Sequence, residues 1–303
     1  MQNGGGAADS AAPVGVIASA EMPSTRRRYA HARTIGADGP DRFRSALRGI
    51  ACAADGGLYA AGDRKVVQYG PGGEARRTWE IGGAALCVAP QPGGCIFVGR
   101  PGALEIFEVS GCTADVWSEA ERLGMPTAIG FFKREVLVGD FAGRCIRRFD
   151  RDGRFLNGIG TRPPAVGFRV CNGCLDFAVD GEGIVHVADP GRHRVSRFTR
   201  EGELLGSFGR FDGIDPAGFP GCCNPTNLAL TPEGRVVVTE KAGPRVKIYK
   251  GDGTLVEIIA TELFDAGCKN MDVAVDSCGR IFVVDTVERV IQVFEPSPEE
   301  QVP

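Results

Sequence analysis

Five cysteines of this chain have the residue type and spacing of a metal centre. The 303-residue sequence contains eleven cysteines, and five of them fall in three corresponding stretches, at Cys171, Cys174, Cys222, Cys223 and Cys268. A Cys-x-x-Cys pair with further thiolates from nearby loops is a ligand set for a zinc ion or a [4Fe-4S] cluster. The sequence therefore predicts such a centre if the fold brings the three stretches together.

The three stretches belong to an internal repeat. Residues 176–189, 227–240 and 272–285 align, and each copy reads as a short apolar strand, a polar turn ending in Gly, and a second strand that ends in an acidic residue. A third strand follows at a fixed offset, and a further turn leads to a fourth. Four antiparallel strands per unit are typical of a propeller blade.

Weaker copies near the N-terminus bring the count to six blades. They cover 49–63, 85–99 and 127–140, while the last copy ends after its third strand. The segment 29–36 is similar to the fourth-strand regions of other copies. We therefore expect an all-β, six-bladed β-propeller of four-stranded antiparallel blades, with the ring closed by an N-terminal strand that completes the last blade.

The same pattern sets the expected domain limits. Residues 29–295 form the propeller, residues 296–303 a C-terminal tail, and residues 1–28, rich in Gly, Ala and Ser, a disordered leader. No signal peptide is predicted, because no basic residue precedes the short apolar run near position 18. The sequence does not assign a compartment.

The chain resembles the NHL-repeat family of β-propellers over about residues 29–295. The resemblance is carried by Val-Ala-Asp-Pro-Gly-Arg-His-Arg-Val at 187–195 and by the Gly-Phe run before each first strand. It implies the propeller fold and leaves the function open, because the family includes lyases and both protein-binding and RNA-binding modules.

The five cysteines all fall in connectors that lead from the outer strand of one blade to the inner strand of the next. Such a connector runs inward across one face and ends at the central channel. We therefore expect one cysteine-ligated centre at the channel mouth, an iron-sulfur cluster or alternatively zinc, acting in electron transfer or redox sensing. Asp176, Asn227 and Asp272 start the inner strands nearby; they either bind a ligand or the thiolate loops, or simply cap strand amides.

Other states of the cysteines remain open. A Cys171–Cys222 disulfide would need an oxidising compartment, and five reduced thiols could also result from repeat duplication alone. In each of these states, one member of the vicinal pair Cys222–Cys223 is a spectator or a redox-active thiol. The other six cysteines are predicted to be small packing or turn residues: Cys52, Cys87, Cys95, Cys112, Cys145 and Cys278.

Two further functional classes compete with a metal or redox protein. One is a protein-interaction scaffold, in which arginines on the cysteine face attract an acidic partner such as an electron-transfer protein. These arginines are Arg42, Arg44, Arg48, Arg162 and Arg169. The other is a Ca²⁺-dependent propeller lyase or hydrolase, although none of the three histidines is predicted to face the channel. Whether the chain is an enzyme is left open.

The net charge and the hydropathy of the chain limit the classes of partner that it is predicted to bind. The net charge of −3 gives no general attraction to nucleic acid, and no apolar stretch is long enough to span a membrane.

An acidic residue that recurs at one position of the repeat is predicted to have a structural role rather than a chemical one. An acidic residue ends the second strand of five copies and is predicted to meet a turn amide or the Arg that begins the third strand. These residues are Asp63, Asp140, Asp189, Glu240 and Asp285. In the third copy Cys145 replaces that Arg, so we expect the ion pair of Asp140 to be missing.

Overall fold

Aspartate and glycine together make turns in five of the six blades. In blade IV the Asp180 carboxylate accepts hydrogen bonds from the backbone N–H groups of Glu182 and Ile184, at 3.0 and 2.9 Å. Gly183 completes this turn with a φ of +87°, a left-handed conformation that a side chain would strain. The flanking β-branched residues then pair as antiparallel strands.

The computed structural model describes residues 28–108, 113–118, 123–163, 167–171, 173–241, 243–259 and 262–297. These residues form strands β1 to β24, arranged as six four-stranded antiparallel sheets, and one short 3-10 helix, Pro190–Arg192. The all-β six-bladed propeller is therefore confirmed. Within these residues, no helix has the length and apolar character needed to cross a membrane.

The first three blades follow each other along the chain. Blade I contains β2 (Leu47–Cys52), β3 (Leu58–Gly62), β4 (Lys65–Tyr69) and β5 (Ala75–Glu80). Blade II contains β6 (Cys87–Pro90), β7 (Cys95–Arg100), β8 (Ala103–Glu108) and β9 (Thr113–Trp117). Blade III contains β10 (Pro126–Phe132), β11 (Glu135–Asp140), β12 (Cys145–Asp150) and β13 (Phe155–Ile159).

The last three blades complete the ring. Blade IV contains β14 (Phe177–Val179), β15 (Val185–Asp189), β16 (Arg194–Phe198) and β17 (Leu204–Phe208). Blade V contains β18 (Asn227–Leu230), β19 (Val236–Glu240), β20 (Arg245–Tyr249) and β21 (Leu255–Ile259). Blade VI contains β22 (Val273–Val275), β23 (Ile281–Asp285), β24 (Val290–Pro296) and, as its outer strand, β1 (Tyr29–Ile35).

The N-terminal strand closes the ring as predicted. Strand β1 pairs antiparallel with β24, with Ile35 opposite Ile291 and Tyr29 opposite Pro296. Beyond this pairing, the N–H of Ser297 donates to the carbonyl of Arg28 at 2.7 Å. Strand β24 continues one residue past the expected boundary at 295, while the predicted leader, up to residue 27, and the tail from residue 298 lie outside the described residues.

The hydrophobic core is divided among the interfaces between adjacent blades. Six clusters of buried apolar side chains occur, one at each interface. At the interface that closes the ring, Val67 of blade I and Val284 of blade VI are both fully buried. Burial of one such side chain stabilises the fold by about 1.5–3 kcal/mol, so apolar packing contributes to ring closure as it does at the other interfaces.

The repeated acidic residues have the predicted structural role, but one predicted loss of an ion pair is wrong. Asp189 pairs with Arg192 at 2.7 Å, and Glu240 pairs with Arg245 at 2.5 Å. The expected loss of the Asp140 pair is wrong, because Arg147 reaches that carboxylate at 2.8 Å. Arg147 stands two residues after Cys145, and alternate residues of a strand share one face. Asp63 instead accepts hydrogen bonds from the backbone N–H groups of residues 44–46.

The remaining cysteines lie where the repeat predicts them. Cys52, Cys87, Cys95 and Cys145 are in strands, and Cys278 is exposed in a turn. Cys112 lies outside the described residues. The ten described cysteines are all free thiols, so the Cys171–Cys222 disulfide is not formed in this structure.

Candidate functional site

Two buried phenylalanines anchor the connectors that carry the cysteines. Phe168 and Phe219 are 2% and 0% exposed, and each lies three residues before a cysteine. The N–H of Arg169 donates to the Asp189 carboxylate at 2.9 Å, and the Phe219 carbonyl lies 3.1 Å from Nδ1 of His193. These contacts fix both connectors against blade IV.

Asn224 holds the loop of the vicinal cysteines beside Lys241, a residue for which the sequence pattern predicts no role. Its side-chain Nδ2 donates to the carbonyl oxygens of Pro220 and Lys241, at 2.7 and 2.9 Å. Its Oδ1 accepts the N–H of Lys241 at 2.9 Å. Because Asn224 is fully buried, the loop that carries Cys222 and Cys223 is held against the end of strand β19.

The Cys223 thiol interacts with the thiols of Cys171 and Cys222, and Lys241 lies next to Cys222 and Cys223; Cys171, Cys222 and Cys223 are called the thiol cluster below. The pKa of the exposed Cys222 is lowered by its interaction with the Cys223 thiol and by the positive charge of Lys241. Cys223 is buried, and burial raises its pKa to about 12, with further contributions from the neighbouring thiols of Cys171 and Cys222. Cys222 is therefore the nucleophilic member.

The other two thiols have different partners. Cys174 accepts a hydrogen bond from Nδ2 of Asn227 at 3.6 Å, and burial raises its pKa well above the ordinary value. Cys268 is fully buried and donates to the Asp285 carboxylate at 3.2 Å. In the described part of the chain, no group of three or more His, Cys, Asp or Glu side chains is placed to hold a metal ion. A single centre containing all five thiols therefore stays a prediction.

The central channel brings together the three polar residues predicted at the strand entries. Asn227 Nδ2 donates to Asp272 Oδ1 at 3.2 Å and also interacts with the carboxyl group of Asp176. The second oxygen of Asp272 accepts the N–H of Ile50 at 2.7 Å, and that of Asp176 accepts the N–H of Leu228 at 2.8 Å. Each acid thus also bonds the inner strand of the following blade.

Among the residues that the structure describes, the two aspartates of the channel have no positive charge beside them to stabilise their ionised forms. Burial raises the pKa of Asp272 to about 7. The pKa of Asp176 is also raised well above its usual range, first by burial and then by the Asp272 charge. The adjoining cavity, about 280 Å³, is lined by inner strands of all six blades, and among its described lining residues these two aspartates are the only charged ones.

Cys87 belongs to the same environment, although its position in the repeat predicts a packing residue. Burial raises the pKa of its thiol, and the charges of Asp272 and Asp176 add to that effect. Its Sγ lies 3.5 Å from the carbonyl of Pro126. Its inner-strand position was visible in the sequence, but its proximity to acids of two other blades depends on the closed ring.

A second cavity opens on the connector side of the channel. It measures about 310 Å³, and its lining includes Cys174, Arg48 and Lys269. Because Asn227 bonds both Cys174 and Asp272, a polar bridge joins the walls of the two cavities.

The arginines predicted on the cysteine face are all exposed, as that prediction requires; they are Arg42, Arg44, Arg48, Arg162 and Arg169. The histidines have structural partners outside the channel lining. His31 contacts Gln292 at 2.8 Å, and His186 contacts Asp180 at 3.1 Å.

Comparison with known proteins supports the fold. No protein-family model and no curated protein matches the chain. A streptogramin B lyase structure is 12% identical, covers 89% of this chain and 98% of its own, and has a TM-score of 0.61. A structural genomics protein of unknown function from Bacteroides thetaiotaomicron VPI-5482 is 13% identical, covers 89% and 76%, and has a TM-score of 0.64.

A third similar structure is the WD40 β-propeller domain of Doa1, 12% identical, covering 84% of this chain and 81% of its own with a TM-score of 0.57. At such identities the likeness shows a β-propeller and nothing about activity. Membership of the NHL-repeat family stays a prediction.

Proposed function

We propose that this propeller is a thiol-based redox sensor whose switch is the thiol cluster. The observation that carries the proposal is an exposed thiol of lowered pKa, Cys222, beside a buried thiol, Cys223, that also interacts with Cys171. Redox-sensing cysteines combine exposure, a stabilised thiolate and a second thiol within reach. Lys241 supplies the positive charge that stabilises the thiolate.

The oxidant would be a hydroperoxide. The Cys222 thiolate attacks the terminal oxygen, the O–O bond breaks, and the departing oxygen takes a proton and leaves as water or an alcohol. The resulting sulfenic acid condenses with the Cys223 thiol, forming an S–S bond and releasing water. Two thiols are thereby oxidised to one disulfide while the peroxide is reduced.

Exchange would then transfer the disulfide to Cys171. A bond between adjacent cysteines is strained, so the Cys171 thiolate attacks the Cys223 sulfur and Cys222 leaves as the thiolate. The final Cys171–Cys223 disulfide joins the connector entering blade IV to the connector entering blade V. Oxidation would therefore change the surface that these two loops present.

Peptide mapping tests this order of thiol reactions directly. Trypsin separates Cys171, in peptide 170–192, from Cys222 and Cys223, in peptide 211–235. The Cys174→Ser variant removes the second cysteine of the first peptide. After brief treatment of reduced protein with hydrogen peroxide, we expect these two peptides to be linked through Cys223.

Single replacements assign the roles. Cys222→Ser should slow formation of the link, Cys171→Ser should stop it, and Cys278→Ser, which removes another exposed thiol, should change nothing. Oxidation of Cys278 as fast as Cys222, or an unlinked pair of peptides after complete peroxide consumption, would contradict the proposal.

A metal centre is the alternative fate of the same thiols. Three thiolates of the cluster could join an iron-sulfur cluster or zinc, with Cys174 as a fourth ligand once it leaves Asn227. Iron, sulfide and zinc analysis of protein purified without oxygen distinguishes the two. Stoichiometric metal that is lost in Cys171→Ser and Cys222→Ser would favour the metal centre over the sensor.

A protein-interaction scaffold is a second candidate, favoured by exposed apolar residues close to the thiol cluster. Phe211 and Ile214 are 62% and 96% exposed, on the loop whose Arg210 carbonyl accepts the N–H of Phe219. A photo-crosslinking residue at position 214, compared with one at position 205 on β17, tests whether a partner docks here. Crosslinking to the same protein from both positions would argue against a specific surface.

A further inference from the structure

The two acids in the channel have no cationic partner in the described part of the chain. Neither Asp176 nor Asp272 forms an ion pair with a described lysine, arginine or histidine, and the oxygens described above accept from backbone N–H groups and from Asn227. No lysine or arginine occurs in the described lining of the adjoining cavity. An ionised carboxylate without a counter-ion is costly at such a site, so the buried Asp176 and the half-buried Asp272 retain their protons, and a cation that enters the cavity would favour their ionised forms.

Asn227 provides a second, independent indication of a ligand. The residue is 2% exposed, and its Oδ1 accepts no hydrogen bond although its Nδ2 bonds both Asp272 and Cys174. An unsatisfied buried acceptor lowers stability until a donor reaches it. The same side chain lies against both carboxyl groups, so one donor group could reach all three side chains.

The walls of the cavity are apolar beyond the acids. Val88, Phe131, Val179 and Leu230 line it together with other inner-strand residues. The last residues of several inner strands are half-buried, among them Val179 and Val275, so the cavity opens towards solvent at that end. A ligand would therefore have a charged head at the acids and an apolar tail along the strands.

We propose that the channel binds an organic cation, a primary alkylammonium, whose head contacts Asp176, Asp272 and Asn227. An ammonium group has three N–H donors, which matches one amide oxygen and two carboxylates once the entering cation has displaced the protons of the two acids. A divalent metal ion fits less well, because Ca²⁺ takes six to eight oxygen ligands. This site is separate from the thiol cluster and does not depend on the proposed redox function.

Titration calorimetry with small probes tests the site on the full-length, reduced protein. Pentylammonium should bind, whereas pentan-1-ol and pentanoate, which have the same chain with a neutral or negative head, should bind at least about tenfold more weakly. Equal binding of pentan-1-ol would overturn the charge recognition. Calcium binding in place of pentylammonium would overturn the assignment of an organic cation.

Isosteric variants locate the charge. Asp272→Asn and Asp176→Asn should each weaken pentylammonium binding by about tenfold or more, while Asp152→Asn, the same change at an exposed turn, should leave it unaltered. Unchanged binding in both channel variants would place the ligand elsewhere. If a channel variant fails to fold, a series from methylammonium to pentylammonium on the native protein decides: affinity should rise about threefold or fourfold per methylene, and a flat series would contradict the apolar tail.

Discussion

The Nδ2 of Asn227 lies 3.2 Å from Oδ1 of Asp272, so an amide of blade V holds the carboxyl group that bonds the inner strand of blade I. The two side chains lie on adjacent blades, and with Asp176 of blade IV they form one polar group at the entries of three successive inner strands. The bond from the N–H of Ile50 to Asp272 extends this group across the point where the ring closes.

The pKa of Asp272 leads to a pH-dependent stability. The folded protein keeps this carboxyl protonated up to about pH 7, whereas the unfolded chain ionises it near pH 3.9. The unfolded state therefore loses the proton first, and this group lowers stability as pH rises from about 4 to about 7. Asp176, Cys174 and Cys87 are the titratable groups that face it.

The Asp272→Asn variant should remove this dependence. The free energy of unfolding of the variant minus that of the native protein should be about 3 kcal/mol larger at pH 8 than at pH 5. Urea denaturation at the two pH values measures the change. Asp152→Asn should show a constant difference from the native protein, and a constant difference in Asp272→Asn as well would show that burial does not hold the proton there.

Cys222 should react with iodoacetamide faster than the other exposed thiol. Its lowered pKa means that thiolate forms below the ordinary thiol range, so alkylation should begin at lower pH than at Cys278. Lys241→Met removes the positive charge and should move the alkylation profile of Cys222 to higher pH. Mass-spectrometric alkylation rates at several pH values provide the measurement; identical profiles for both cysteines would contradict the assigned environment.

The buried pair Glu240–Lys247 should be strongly coupled. Both side chains are fully buried, their charged atoms are 2.8 Å apart, and Lys247 Nζ also donates to the carbonyl of Gly218 at 2.6 Å. Lys247→Met leaves the Glu240 charge with Arg245 alone and should cost about 3–5 kcal/mol in the free energy of unfolding. The double variant Glu240→Gln/Lys247→Met should recover part of that loss; additive losses would show that the two residues do not interact.

The closing strand should contribute strongly to stability. Ile35 on β1 is 4% exposed and packs in the cluster between blades I and VI. Ile35→Ala should lower the free energy of unfolding by about 2–4 kcal/mol. Ala32→Ser, at an exposed position of the same strand, serves as the control, and equal effects of the two changes would mean that β1 is not held by its buried face.

The fold could be predicted because strand patterns and turn residues are local. The Asp-and-Gly turns, the alternation of β-branched residues and the missing fourth strand of the last repeat are each visible within a few residues. The pairing of Arg147 with Asp140 was equally local, since residues two apart on a strand share a face, but alignment by position alone concealed it.

The site could be predicted only to the level of the connectors. All five cysteines lie in them, yet the direction of each side chain depends on loop conformation, which sends Cys268 to Asp285 and Cys174 to Asn227. Lys241 approaches Cys222 only because Asn224 ties its loop to the end of β19. No local pattern encodes that contact.

The hydrogen bond from Ser297 to Arg28 brings the two ends of the described ring to one point at the outer edge of blade VI. A short peptide could join these ends, and new termini could be opened in an exposed turn such as 151–153 between β12 and β13. Blade VI would then consist of covalently consecutive strands, and the non-covalent closure would move to blade III, where β13 would become the first strand of the chain. A circular permutant of this kind would relocate the point of closure while leaving the channel and the connector face unchanged.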